Sequence, residues 1–140
     1  MATTAFDTKK ALHALIQGRP ELAKYQVTYG FPARAPERRW VFVGEVTWED
    51  SMWATNRSRE ETYQISCVFN CQISGATSLD VEEELRAMAA GVEEAVKASV
   101  NLGISDVYFT DFVPQKLVSF PSDQVYEGQF ECSLRVKARL

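Results

Sequence analysis

The residues able to do chemistry in this chain of 140 amino acids are 19 Asp and Glu side chains, 3 cysteines and 1 histidine. General acid–base work needs two carboxyl groups converging on one reacting atom from environments that separate their pKa values. Glu82, Glu83 and Glu84 are consecutive and splay around a helix, and Asp106 and Asp111 bracket a strand in opposite phase. Neither group converges. His13 falls about 160° round its helix from Leu15, on the outer side, where a lone imidazole lacks the partners of a catalytic triad. If Cys67 and Cys71 share a strand, their Cα atoms are about 13 Å apart, too far for a disulfide or for one zinc ion. They read as core thiols, and with Cys132 the odd count argues against a disulfide framework. A Gly-rich phosphate loop, HExxH, CxxC and the nucleophile elbow are all missing from the sequence. The expectation is a chain that is not an enzyme, with no catalytic, cofactor-binding or metal-ligating residue.

What the sequence offers instead is contact chemistry. Met52 and Trp53 sit in a polar stretch beside Arg57 and Arg59, and Trp and Arg are the types most enriched at interface hot spots. Arg34, Arg38 and Arg39 form a basic run suited to phosphates or an acidic partner, against the plainer reading of a solvated loop. Val41 and Val43 make the second face of their strand apolar, which a sheet covered on one side only would leave wet. These nine residues are the candidate protein interface.

The elements that must position them follow from periodicity. A helix is expected over Thr8–Gln17, with Asp7 as N-cap, a stripe of Ala11, Leu12, Leu15 and Ile16, and a stop at Gly18-Arg19-Pro20. A short strand near Lys24–Tyr29 precedes an extended Pro/Arg loop over Phe31–Arg39. Arg39–Trp48 reads as a strand with Trp40, Phe42, Val46 and Trp48 on one face, followed by a polar loop over Glu49–Glu60. Glu61–Ile73 alternates strictly, Tyr63, Ile65, Cys67, Phe69, Cys71 and Ile73 pointing inward. A second helix over Leu79–Ser99 carries Val81, Leu85, Met88, Val92, Ala95 and Val96 in one stripe, with Thr77 or Ser78 as cap. The pairs Glu82/Arg86 and Glu93/Lys97 are expected on its exposed side. Strands at Asp106–Val113 and Val125–Ala138 close the chain, joined across Pro114–Asp123, which is expected to be partly extended.

The order α-β-β-β-α-β-β predicts an α+β two-layer sandwich, a mainly antiparallel sheet with two helices on one face, as a single domain spanning 1–140. Hydrophobic content of 46% supplies a core for a chain this long without metal or disulfide. Net charge is −4, which argues against a general nucleic-acid binder. That charge is uneven: residues 1–40 carry a net +4 and residues 76–100 a net −4, a split suited to head-to-tail contacts between copies. No apolar run approaches the roughly 18 residues that would span a bilayer, and Met1 to Asp7 lack a signal-peptide pattern. The expected location is therefore the cytosol, or a particle assembled there.

The strand ETYQISCVFNCQIS followed by LDVEEELRAMAAGVEEAVKAS, the preceding Pro/Arg loop, and the closing strand GQFECSLRVKARL resemble the tail terminator proteins of long-tailed phages, of the lambda U type. The resemblance covers nearly the whole chain in order, length and texture, and extends to related neck-completion and tail tube proteins. It implies a homo-oligomer, expected to be a hexameric ring, at the head-proximal end of the tail tube. Such a ring stops tube polymerisation and presents a surface to the head connector, while DNA passes through its lumen without specific binding. Its implied partners are sister copies, the tail tube protein and the head or neck connector protein, and its location is the virion tail, assembled in the host cytoplasm. A small cytosolic ligand-binding module, or an α+β enzyme with an unrecognised pocket, is the alternative from a different class.

Overall fold

The computed structural model describes residues 3–22, 25–30, 38–53 and 59–140, with the side chains of 21, 50–53 and 59 excepted. Helix α1 (Ala5–Gln17) leads into a short 3-10 turn and strand β1 (Gln26–Tyr29). Strands β2 (Arg39–Trp53) and β3 (Arg59–Ser74) form a long hairpin, and helix α2 (Ser78–Ala98) carries the chain to a second hairpin of β4 (Val107–Ser122) and β5 (Val125–Arg139). The five strands make one sheet in the order β1-β2-β3-β5-β4. All pairings are antiparallel except β1 with β2, which is parallel. Both helices lie on the same face of this sheet, as their shared core with the inward rows of β3 and β5 requires. The expected α+β sandwich and its element order are what the structure shows.

Helix α2 has the stripe its period dictates. Val81, Leu85, Met88, Val92, Ala95 and Val96 are all buried, joined by Gly91. Its N-terminus is closed by a capping box, in which the Thr77 hydroxyl accepts from the Asp80 backbone N–H while the Asp80 carboxylate accepts from the Thr77 N–H. Lys97 reaches Glu93 at 3.2 Å, but Arg86 turns to Glu83 at 3.8 Å, and Glu82 faces Ser119 on β4 instead.

Helix α1 starts three residues before its expected first residue. Asp7 is inside it, and Thr4 stands at the cap position with no side-chain cap bond. A residue distant in sequence takes over: the buried carboxylate of Glu61 accepts from the Thr4 backbone N–H at 3.3 Å and from the Thr3 hydroxyl. The same network ties Tyr63 OH to the hydroxyls of Thr4 (2.8 Å) and Thr8 (2.9 Å), and Trp48 Nε1 donates to Glu61 at 3.2 Å. A carboxylate at the positive end of a helix is favourable, so β3 sets where α1 begins.

β2 runs further than expected, and the segment after Val113, expected to be partly extended, is strand through Ser122. The polar stretch after Trp48 is not a loop over its whole length, because β2 continues to Trp53 and pairs Trp53 with Arg59. Likewise β4 continues past Pro114 to Ser122, with a register shift between Pro114 and Lys116. As the outermost strand it has a free edge, where a residue without N–H costs no ladder bond. The turn Asp123-Gln124 has φ of 36° and 65°, the left-handed pair of a two-residue hairpin.

Candidate assembly interface

The face assignment of β2 needs correction. Trp40, Phe42, Val46 and Trp48 do not share a face, because a register shift between Val43 and Val46 reverses the alternation at Gly44-Glu45. Before the shift Val41 and Val43 point to the helices; after it Val46 and Trp48 do, opposite Ile65 and Tyr63. Val41 and Val43 are 0% exposed within the protomer's own core, and so leave the set of interface candidates. Trp40 and Phe42 take their place on the sheet's other face, stacked with ring centroids 5.2 Å apart. No helix or strand among the described residues lies over that face.

The arginine run is divided by the fold. Arg34 and Arg57 lie outside the described residues. Arg38 is exposed and donates to the Ser74 hydroxyl at 3.1 Å. Arg39 is turned inward, its Nε 3.0 Å from Glu84 on α2, and Tyr25 OH donates to the same oxygen at 2.6 Å. Burial, then the hydrogen bond to Glu84, pushes the Tyr25 phenol well above its ordinary range. Arg39 is therefore a clamp between β2, β1 and α2. Met52 and Trp53 stand at the far end of β2 with Arg59 at the facing start of β3, which puts them on the outer reach of one hairpin; their side chains lie outside the described residues. That arm is braced by Glu60, register partner of Arg139, whose Nε lies 3.1 Å from the Glu60 carboxylate.

Alternation in β2 and β4 gave no sign of the most developed surface feature. α2 covers β3 and β5 and meets β4 at Ser119 through Ser78 and Glu82, and a groove of about 460 Å³ opens beside that contact. Its floor is Phe130, Leu85 and Ala89, and its walls are Leu79 (65% exposed) and Leu117 (52% exposed). Glu82, Glu83, Arg86 and Glu93 line its rim, where Arg86 pairs with Glu83 and Glu93 with Lys97. These carboxylates are spread over three turns of helix, roughly 16 Å from first to last, so they do not converge on one reacting atom. At the opposite edge of the sheet α1 shows Phe6 (64% exposed), Lys9, Lys10 and His13 at helical spacing. Lys9 Nζ lies 4.4 Å from the centre of the Tyr29 ring, and His13 meets the same ring edge-on at 5.6 Å. The only sequence signal for the contrast between these edges was the split of charge along the chain.

No group of three or more His, Cys, Asp or Glu side chains able to hold a metal ion occurs among the described residues. Among them, no helix is long and apolar enough to cross a membrane.

The fold is shared with a virion chain. A solved structure titled as the virion of a native gene transfer agent particle contains a chain that superposes with a TM-score of 0.56. The alignment covers 99% of this chain and 100% of that one at 12% sequence identity. No protein-family model and no curated protein matches the sequence. The common feature is thus the architecture, at a level of identity where individual residues do not carry over.

Proposed function

We propose that this protein is a structural subunit of a phage-like particle, a tail terminator that forms a ring at the head-proximal end of the tail tube. The observation that carries the reading is the end-to-end superposition on a chain of a gene transfer agent virion. Three features of the molecule support it. Among the described residues the sheet has helices on one face only and two free edges, a shape suited to repetition around an axis. Those edges carry opposite charge, with the basic α1 at β1 and the acidic rim of α2 at β4. Finally, the β2–β3 hairpin reaches outward with Trp53 near its tip, the position of an arm that contacts a neighbour.

In this reading the polar face of β3 and β5 is the lumen wall. Its outward residues include Gln64, Gln72, Gln129 and Glu131, and its cations include Arg135, paired with Glu49, and Lys137, a surface too sparse in free charge to grip DNA. The partners are sister copies, the tail tube protein and a head connector.

Electron microscopy of the purified protein, alone and mixed with tail tubes, tests this. Rings that cap tube ends and halt tube growth are expected. A protein that copolymerises along the tube would be a tube subunit, and one that remains monomeric and leaves tubes uncapped refutes the assignment. Trp53→Ala should leave the thermal unfolding curve nearly unchanged and weaken assembly by about 2 kcal/mol, read by sedimentation velocity.

A further inference from the structure

The groove between α2 and β4 has no occupant within the protomer, and its chemistry specifies one. Its floor is apolar, with Ala89 and Ala90 leaving room above Leu85 and Phe130 for an inserted side chain. Its rim is acidic. An occupant must therefore present a narrow stripe with an apolar projection flanked by cations.

α1 presents such a stripe. Its buried face is Ala5, Thr8, Leu12 and Ile16, and a flanking face about 100° round the helix carries Phe6, Lys9, Lys10 and His13 at helical spacing. Phe6, 64% exposed, has no use inside the protomer. Burying one such ring contributes roughly 1.5–3 kcal/mol. The two surfaces lie at opposite edges of the same sheet, so one molecule cannot satisfy both, whereas a head-to-tail row of molecules can.

We infer that the outer face of α1 in one copy seats in the α2–β4 groove of the next, with Phe6 between Leu79 and Leu117 and with Lys9 and Lys10 against Glu82, Glu83 and Glu93. This rests on the ring reading above and names the contact that builds the ring. Edge-to-edge strand pairing is the competing geometry, and β4 is built against it. Pro114 and Pro121 lack the N–H a new strand would need, and a register shift beside Pro114 interrupts the ladder. Side chains, not backbone, make this joint.

The test is charge reversal on each surface of the full chain. Lys9→Glu with Lys10→Glu forms one variant, and Glu82→Lys with Glu93→Lys forms the other; all four side chains are at least partly exposed, and circular dichroism checks folding. Each variant should show a dissociation constant for self-assembly raised about tenfold or more by sedimentation velocity. Combining all four substitutions in one chain, or mixing the two variants, should restore assembly, because reversed surfaces again face each other. Wild-type assembly should weaken as salt rises. If wild-type rings form and both variants assemble equally well, the contact is elsewhere and the ring reading stands. If the combined chain fails to recover while each variant is folded, the α1–groove pairing is wrong. If the wild type is monomeric at every concentration, with and without tail tubes, the pairing and the ring reading fall together.

Discussion

Gly128 is the position where a single methyl group should test the packing of the whole molecule. It lies on β5 under the first turns of α2, and a Cβ placed there would be 2.1 Å from Val81 Cγ1 and 2.9 Å from Leu85 Cδ1. Carbon atoms in a packed core rest at about 3.5–4.0 Å, so Gly128→Ala requires roughly 1.5 Å of withdrawal. Val81 cannot swing aside, since a β-branched residue in a helix holds essentially one rotamer, and it is 0% exposed. The helix itself must lift. Overpacking of this kind costs about 1–3 kcal/mol, and we expect the upper part of that range even though alanine is otherwise about 0.5–1 kcal/mol better than glycine in a strand. In urea the midpoint should fall by about 1–2 M with the slope unchanged. Val81→Ala alone should cost on the order of 2 kcal/mol through the space it vacates. The two together should cost less than their sum by about 1 kcal/mol or more, because the new methyl fills that space. Because Leu85 also lines the groove, Gly128→Ala should weaken assembly as well. A stable Gly128→Ala protein, or strictly additive effects, would refute this account of how α2 sits on the sheet.

Three further outcomes follow from buried polar groups and the cap. Tyr63→Phe removes the hydroxyl shared by Thr4 and Thr8, and should cost about 1–3 kcal/mol in urea denaturation and speed amide exchange in α1; unchanged exchange would show that α1 is docked by its apolar stripe alone. The Thr77 backbone and hydroxyl bonds hold the Asp80 carboxyl below its usual range. The folded state therefore binds this proton less readily than the unfolded one, so its contribution to stability is present above the ordinary carboxyl pKa and is lost as pH falls through the depressed value. Thr77→Ala should raise the Asp80 pKa in an NMR titration and flatten that part of the acid limb. Burial pushes the Cys71 thiol up to about 11, and the hydrogen bond with the neighbouring Cys67 thiol, then burial, pushes Cys132 up as well. At pH 8 a thiol-specific reagent should accordingly label the native protein hardly at all and all 3 cysteines once it is unfolded; rapid native labelling would contradict the core placement.

How far the sequence spoke depended on how local each feature's cause is. The stripe of α2 and the alternation of β3 were legible because a helix or a half-buried strand prints its period on its own residues. Cys67 and Cys71 were separable from any shared disulfide or metal by strand geometry alone. That Cys67 faces Cys132 across the sheet was hidden, because register is a relation between two segments. The start of α1 was misplaced because its cap comes from Glu61, 57 residues from Thr4. The strand continuing through Pro114 was obscured because proline breaks a central strand and is tolerated on an edge, and the sequence does not say which strand is at the edge.

By itself, the sequence determined the layered α+β class, the two amphipathic helices, the inward row of β3 and the opposed charge of residues 1–40 and 76–100. Each of these is written in composition or in a period of a few residues. Only the tertiary structure decided which way Val41 and Val43 face, since one bulge at Gly44-Glu45 inverts every side chain beyond it. It alone opened the groove between α2 and β4, and set α1 at the far side with Phe6 uncovered. Those features depend on how segments distant in sequence pack together, and the energies that choose among packings are summed over the whole molecule.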